Sequence, residues 1–196
     1  MSKLYVDAVE PEGASTVLTL GTVGDTVNIG GTAGTGFPLS GTNTPNFYVS
    51  HSTARTVISD ATWTPVTFDE EAVDSDSAFT SNAFTVPAGK AGTYYLQGGS
   101  TVGDEHNGCF HYGKIRIRKT PSGGSAATLT ESDTSQNIVA GTTQAWGHYL
   151  SMTAQCVAVL AVGDAITLEV YSDGASGNPS YYGSDGITRF MGFKLL

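Results

Sequence analysis

Apolar and polar residues alternate in short runs along most of the chain, and from Asn46 onward these runs recur about every ten residues. In the second half, Ile166, Leu168 and Val170 share one face of such a run. A period of two is typical of a strand with one buried face. Short strands at this spacing indicate a sandwich or barrel and not βαβ units. The pattern therefore predicts an all-β head over residues 46–196.

The other predicted strands differ in how much of their surface they bury. We expect them at residues 47–49, 63–68, 84–87, 92–98, 110–118, 149–160 and 188–196. In the strand at 110–118, Ile115 and Ile117 lie on one face and the basic residues on the other, which predicts one solvated face. The last strand is so apolar that we expect it near the centre of a sheet, because an exposed apolar edge promotes aggregation. Residues 172–185 are polar and rich in glycine, which predicts a loop that buries little.

The first 45 residues have a different character. Two short units, residues 17–21 and 26–30, each alternate apolar with polar residues and end at glycine. Two strands with two apolar residues each cannot form a core alone, so this segment needs a partner surface. A glycine-rich linker follows at residues 30–36. We therefore expect residues 1–45 to be a stalk or attachment segment.

Composition and charge narrow the classes of function. The chain has 196 residues with 18 acidic and 9 basic side chains, a formal charge of −9. This charge repels nucleic acid, so no nucleic-acid partner is expected. No apolar run approaches the roughly 20 residues that cross a bilayer, and the first residues lack a signal-type apolar region, so we expect no membrane insertion and synthesis in a cytoplasm. Only 14% of residues are charged and 25 are glycine, a composition that favours strands and turns over helices.

Three segments, in the same order, resemble the C1q/TNF-like superfamily. Residues 84–87 with 91–96 are similar to that family's F-x-V-P-x-x-G-x-Y-x-F segment. Residues 160–168 and the closing 189–195 are also similar, the latter to a terminal F-x-G-x-x-L strand. The resemblance covers about residues 47–196. The polar segment 173–185 departs from it as an insertion.

This resemblance implies a ten-stranded jelly roll that associates as a tight homotrimer. The residues expected to define the core and the trimer are Gly92, Tyr94, Phe190, Gly192 and Phe193. Glycine removes a side chain where strands crowd, and the aromatic rings supply large buried areas. Some members of the superfamily bind calcium near the trimer axis, but no ligand set matches here, so no metal or other cofactor is predicted.

Residues 2–7, 19–21 and 24–27 resemble the amino-terminal region of phage tail fibre and capsid fibre proteins. A stalk joined by a glycine linker to a trimeric head is the layout of a virion appendage. The resemblance therefore implies a virion protein, assembled in the host cytoplasm, whose first 45 residues attach to capsid or tail proteins.

Side chains that could bind metal or react are few and scattered. Cys109 and Cys156 lie far apart in the sequence and are expected to be buried thiols, with their pairing left open. The four histidines show no metal-ligand spacing. The acidic groups at residues 104–106 and 69–76 could attract calcium, but solvated loops are the preferred interpretation and no calcium site is predicted.

No nucleophile elbow, Cys/His motif or phosphate-binding loop is present, so no catalytic residue is predicted and the chain is not expected to be an enzyme. The residues proposed to contact a receptor are Asn178, Tyr181 and Tyr182, because tyrosines flanked by small polar residues give rigid aromatic contacts. The alternative is that these tyrosines plug the fold beneath the loop or at a protomer boundary.

Two functions remain open at this stage. In the first, the trimeric head adheres to the bacterial surface, possible ligands being surface glycans, and threefold repetition strengthens weak binding. In the second, the trimer is a capsid decoration or cement protein that stabilises the shell and binds no receptor. A polysaccharide-processing enzyme is disfavoured because the chain is too short for a long β-helical body with a carboxylate-lined groove.

Overall fold

The computed structural model describes residues 43–104, 110–135, 149–174 and 179–195. The chain divides into two units, Met1–Ser40 and Gly41–Leu196, and the described residues lie in the second. The proposed stalk therefore lies outside the described residues, and its boundary near residue 45 stays a prediction. The described part contains thirteen strands and a single 3-10 turn at Ser184–Gly186. The prediction of an all-β class is confirmed.

The larger of two antiparallel sheets is organised around one long strand, β7. Its strands are β1 (Asn46–Ser50), β2 (Thr56–Val57), β4 (Glu70–Asp74), β7 (Gly92–Asp104), β10 (Tyr149–Leu160), β12 (Pro179–Tyr182) and β13 (Arg189–Lys194). Strand β10 pairs with one edge of β7 over twelve residues. Strands β12 and β13 pair with successive stretches of the other edge. Strand β1 lies between β13 and β4.

The smaller sheet covers the inner face of the larger one. Its strands are β3 (Thr64–Pro65), β5 (Phe79–Thr80), β6 (Ala83–Thr85), β8 (Phe110–Thr120), β9 (Ala127–Ser135) and β11 (Ala165–Gly174). Strands β8 and β11 pair along most of their length. Ile115 and Ile117 are fully buried, whereas Lys114, Arg116 and Arg118 lie on the other face, as predicted.

A cluster of phenylalanines holds the two sheets together. Phe47 of β1 stacks on Phe84 of the smaller sheet with ring centroids 4.7 Å apart. It also meets Phe190 edge-on at 5.0 Å and stacks on Phe79 at 5.4 Å. These rings are buried, and aromatic pairs of this kind add stability beyond the area they bury. The cluster fixes which face of β1 and β13 points inward.

Two glycines permit this close packing. Gly192 lies opposite Phe47, and a Cβ atom there would be 2.7 Å from both Phe47 Cε1 and Leu96 Cδ2. Gly98 of β7 lies under Leu168 of the smaller sheet, where a Cβ atom would be 2.2 Å from Leu168 Cδ1. Both sites are positions where another part of the molecule approaches the backbone closely.

The terminal strand is central, as predicted, because β13 lies between β7 and β1. The prediction for residues 172–185 was wrong in part. Strand β11 continues to Gly174, and β12 pairs with both β7 and β2. Pro179, Ser180 and Tyr181 are buried. The polar composition was misleading because Ser180, although buried, accepts a hydrogen bond from Arg55 Nε at 2.8 Å.

Strands β4 and β9 were not predicted. Strand β4 is exposed at nearly every position, and β9 has no buried residue, so neither shows an apolar face. Both lie at the end of a sheet. An edge strand of this kind is specified by its partner's register and not by its own pattern.

Substitution of Gly98 by alanine tests the close approach of the sheets. Leu168 is fully buried and has no room to move away, so we expect Gly98→Ala to lower the free energy of unfolding by about 1–3 kcal/mol in urea denaturation. Gly99→Ala is the matched control, since a Cβ atom on this neighbouring residue would be 3.7 Å from its nearest atoms. Equal stability of the two variants would show that the sheets are not packed as described.

Candidate functional site on the outer face of the larger sheet

The outer face of the larger sheet carries apolar side chains that the sandwich does not cover. Because the phenylalanine cluster turns Phe47 and Phe190 inward, the alternate residues of β1 and β13 point outward. The register then aligns Val157, Tyr95 and Phe193 across three strands. We call the outward side chains of Tyr48, Tyr95, Val157, Val159, Met191 and Phe193 the apolar face.

The apolar face is accessible and partly ordered by its own contacts. Val157 and Val159 are 62% and 74% exposed. The Tyr95 and Phe193 rings lie 5.4 Å apart, and the Tyr95 hydroxyl donates a hydrogen bond of 3.0 Å to Gln155 Oε1. Contiguous exposed apolar groups of this kind are typical of a protein-interaction surface.

Charge is nearly absent from this part of the molecule. Among the outward residues of β7, β10 and β13, only Arg189 is charged. Within the described residues, β10 pairs with no strand other than β7, so its second edge is open. Neither proline nor a charged side chain protects that edge, which is unusual for a monomer.

The outer face of the smaller sheet has the opposite character. Glu169 is 5% exposed and accepts hydrogen bonds from Arg116 Nε at 2.7 Å and Arg118 Nη1 at 3.1 Å. Lys114 pairs with Glu131 at 3.1 Å, and the Arg116 guanidinium lies 4.0 Å from the centre of the Trp63 ring. Most of the charge on this face is therefore already held in ion pairs.

The residues expected to define the core and the trimer lie at different depths. Tyr94 and Phe190 are fully buried. The Tyr94 hydroxyl donates to the Lys90 carbonyl oxygen at 2.6 Å, and burial, with the nearby Asp76, raises its pKa to about 12. Gly92 has a φ of +154° and lies beneath Lys194, whose Cε would be 2.7 Å from a Cβ atom there.

Phe193 is not a core residue, which corrects the expectation that it supplies a large buried area. It is separated from Phe190 by three positions, so strand alternation places the two rings on opposite faces of the sheet. Its ring is half-buried against Tyr95 on the apolar face.

The three proposed receptor contacts are also separated. Tyr181 is 1% exposed, and its hydroxyl lies 2.7 Å from Thr67 Oγ1 and accepts the Thr67 backbone N–H at 3.1 Å. Its side chain therefore plugs the core, as in the alternative interpretation, and cannot touch a receptor from this position. Tyr182 is half-buried beside Tyr149, with ring centroids 4.8 Å apart. Asn178 lies outside the described residues.

The acidic stretch at residues 69–76 is divided among separate structural roles. Asp74 accepts hydrogen bonds from the backbone N–H groups of Ala78 and Phe79, and Asp76 pairs with Lys90 at 3.4 Å. Asp69 accepts the Ser52 backbone N–H at 2.6 Å. In the described part of the chain, no three His, Cys, Asp or Glu side chains are grouped so that they could hold a metal ion. The other acidic group, at residues 104–106, lies mostly outside it.

Cys156 is a free thiol that faces inward opposite Leu96, and burial raises its pKa. Cys109 lies outside the described residues. No helix among the described residues has the length and apolarity needed to span a membrane.

Solved structures with similar folds were found. Eiger TNF from S. frugiperda is 14% identical, covers 77% of this chain and 92% of its own, and has a TM-score of 0.57. Murine APRIL at pH 8.0 is 17% identical, covers 76% of this chain and 98% of its own, and has a TM-score of 0.55. The globular domain of zebrafish complement 1qA is 17% identical with 78% and 98% coverage and a TM-score of 0.47.

The described head thus has a C1q/TNF-like jelly-roll fold. At these identities the likeness shows the fold alone. No protein-family profile matches the sequence, and no curated protein sequence matches it either.

The pH dependence of stability tests the contacts of Asp69. The Ser52 backbone N–H, with the Ser52 and Thr53 hydroxyl groups, lowers the pKa of this carboxyl below its ordinary value. A lowered folded-state pKa stabilises the fold above about pH 4, and this contribution is lost as the pH falls through the folded-state pKa. We expect Asp69→Asn to have a slightly lower Tm than the wild type at pH 7, with the difference closing in acid. A difference in Tm that is constant with pH would contradict this assignment.

Proposed function

We propose that the chain is a non-enzymatic virion appendage protein whose C1q/TNF-like head forms a homotrimer and adheres to the bacterial host surface. The observation that carries the association is the apolar face. The virion context is supported by the resemblance of the first residues to phage fibre proteins. In this proposal, residues 1–45 attach the head to capsid or tail proteins.

The apolar face suits association between identical chains. Burial of Val157, Val159 and the Tyr95–Phe193 pair removes exposed apolar area from water without desolvating a charge. A chain with a charge of −9 repels its own copies at long range, so the contact must form where charge is absent. The apolar face is such a place.

The host-binding region in this proposal lies at the other end of the same sheet. Tyr149 is 53% exposed and meets the Tyr182 ring edge-on. It precedes Val157 by eight residues on β10, which corresponds to about 26 Å along a strand. The exposed Tyr149 ring, with the half-buried Tyr182 ring beside it, provides a flat contact to sugar rings, and three copies would add their weak affinities. Tyr182 therefore remains a proposed receptor contact, whereas Tyr181 does not.

Light scattering of the full-length protein tests the trimer. We expect three chains per particle at micromolar concentration and a shift toward one chain for Val157→Lys, because a lysine at this position would place an uncompensated charge beside Tyr95. Val162→Lys is the matched control, since Val162 is 47% exposed in the turn after β10. A wild-type protein that is monomeric at this concentration would require the trimer to be withdrawn.

Binding to bacterial surface polysaccharides tests adhesion. We expect the wild-type trimer to bind at least one such polysaccharide without releasing new reducing ends, and Tyr182→Ala to weaken that binding by about threefold or more. Phage capsids that lack the protein serve as the comparison surface. Binding to capsids together with no binding to any host polysaccharide would favour the decoration or cement function instead. Release of reducing ends would show an enzyme.

A further inference from the structure

A pocket opens at the end of the sandwich where β4 begins, away from the apolar face. Its volume is about 410 Å³, which lies within the range of pockets that hold ligands. The lining consists of Val49, Phe68, Asp69, Glu70, Glu71, Phe79, Thr80, Ser81 and Asn82. We call it the acidic pocket.

The floor of the acidic pocket is apolar and fixed. Val49 and Phe79 belong to the buried core, and Phe68 packs against it with its ring edge-on to Phe79 at 5.7 Å. The Phe68 backbone N–H donates to Asn82 Oδ1 at 2.8 Å, which ties the floor to the turn between β5 and β6. In that turn, Ser81 and Asn82 have φ values of 51° and 65°, as in a tight two-residue hairpin. The pocket is therefore preformed.

Three consecutive acidic residues line the rim, but Glu71 lies opposite Val49 on the pocket side, whereas Glu70 lies opposite Ser50 and points to the other face. Asp69 is oriented by Ser52 and Thr53, and Glu70 accepts a hydrogen bond from Ser50 Oγ at 3.0 Å. Among the described residues, no lysine or arginine lies within ion-pair distance of Asp69, Glu70 or Glu71. The rim thus differs from the outer face of the smaller sheet, where the charges are paired.

A buried nitrogen behind the Asp69 carboxylate lacks a hydrogen-bond partner, although His51 itself does not line the pocket. His51 is 4% exposed, and its Nε2 atom lies 2.8 Å from Thr56 Oγ1. Its Nδ1 atom has no partner among the described residues and lies 3.9 Å from Asp69 Oδ2, too far for a direct hydrogen bond. In the tautomer whose Nε2–H donates to Thr56, Nδ1 is a buried acceptor turned toward Asp69 without a donor.

We propose that the acidic pocket binds the side chain of an arginine on a partner protein. The guanidinium would lie among the carboxylates and the methylene stem against Phe68 and Phe79. Arginine fits this combination because its planar head is weakly hydrated, stacks on aromatic rings and donates to several carboxylate oxygens at once. A compact metal cation would leave the apolar floor uncovered.

The charges indicate which source of the guanidinium is favoured. Free arginine carries its own carboxylate, which the rim carboxylates of Asp69 and Glu71 would repel, whereas an arginine within a peptide chain carries none. A second copy of this chain is disfavoured because its Arg116 and Arg118 are already bound to Glu169 and its Arg55 to Ser180. The partner is therefore a different protein with a basic surface. This assignment is independent of trimer formation, because the pocket does not use the apolar face.

Titration of the full-length, isotope-labelled protein with blocked arginine peptides tests the site. The probes are N-acetyl-arginine amide, its uncharged analogue N-acetyl-citrulline amide and N-acetyl-lysine amide, followed by transverse-relaxation-optimised NMR. We expect saturable shifts at the amides of residues 68–71 and 79–82 with a Kd of about 1–10 mM for the arginine probe. The citrulline probe should bind about tenfold more weakly, and the lysine probe should also bind more weakly than arginine.

Glu71→Gln is the test variant, because Glu71 is exposed and its loss leaves the fold intact. It should weaken arginine binding by about threefold or more, and Glu131→Gln, which removes the same charge from the other sheet, should not. Absence of saturable shifts up to about 50 mM, equal binding of the citrulline or lysine probe, or wild-type affinity in Glu71→Gln would each overturn the proposal. A monomeric protein that shows the expected binding would refute the trimer and leave this site standing.

Discussion

The stack of Phe47 on Phe84 is the contact on which the rest of the head depends. It joins the two sheets at their centre, and Phe190 and Phe79 pack around it. The stack is possible only because Gly192, opposite Phe47, contributes no side chain. Strand geometry then fixes the direction in which the neighbouring side chains point. With Phe47 and Phe190 facing inward, Tyr48 and Phe193 must face outward.

The apolar face is therefore a consequence of the same register that builds the core. A slip of one residue in β13 would bury Phe193 and expose Phe190, and it would also place Met191 where Gly192 is required. A change of register that turned these outer side chains inward would therefore also disrupt the core. A bulge between Tyr48 and Val49 shifts the pairing of β4 at the end of β1. It brings the acidic residues of β4 beside the apolar floor formed by Val49 and Phe79.

How much of the structure the sequence predicts depends on how strongly each segment alternates. Strands β8 and β11 show clear two-residue periods, β10 and β13 are strongly apolar, and all four were predicted close to their observed positions. Strands β4 and β9 carry no buried stripe, so nothing in their own residues distinguishes them from loops. Segment 179–182 was wrongly predicted to be a loop, because the glycines and serines around Tyr181 are typical of solvated loops. Tyr181 is nevertheless buried.

The candidate sites were harder to predict than the fold, for the same physical reason. Tyr181 and Tyr182 are adjacent in a strand, so they must point to opposite faces, and composition alone could not say which tyrosine is buried. The acidic residues at 69–71 were recognised as a group, but the sequence did not show that Phe68 and Phe79 form a floor beside them. Residues 68 and 79 come together only through the pairing of β5 with β6 and the packing of both on β1.

The surfaces of the head differ more clearly in their charge than in their shape. The outer face of the smaller sheet holds a dense set of charges, yet Glu169 binds two arginines and Glu131 binds a lysine, so most of these charges are already paired. The apolar face has the reverse property, with almost no charge and much exposed apolar area. The acidic pocket combines an apolar floor with carboxylates that lack cations among the described residues. The apolar face and the acidic pocket are therefore expected to bind different partners. An uncharged face gains free energy when it is buried against another uncharged face, whereas unpaired carboxylates gain free energy when they bind a cation.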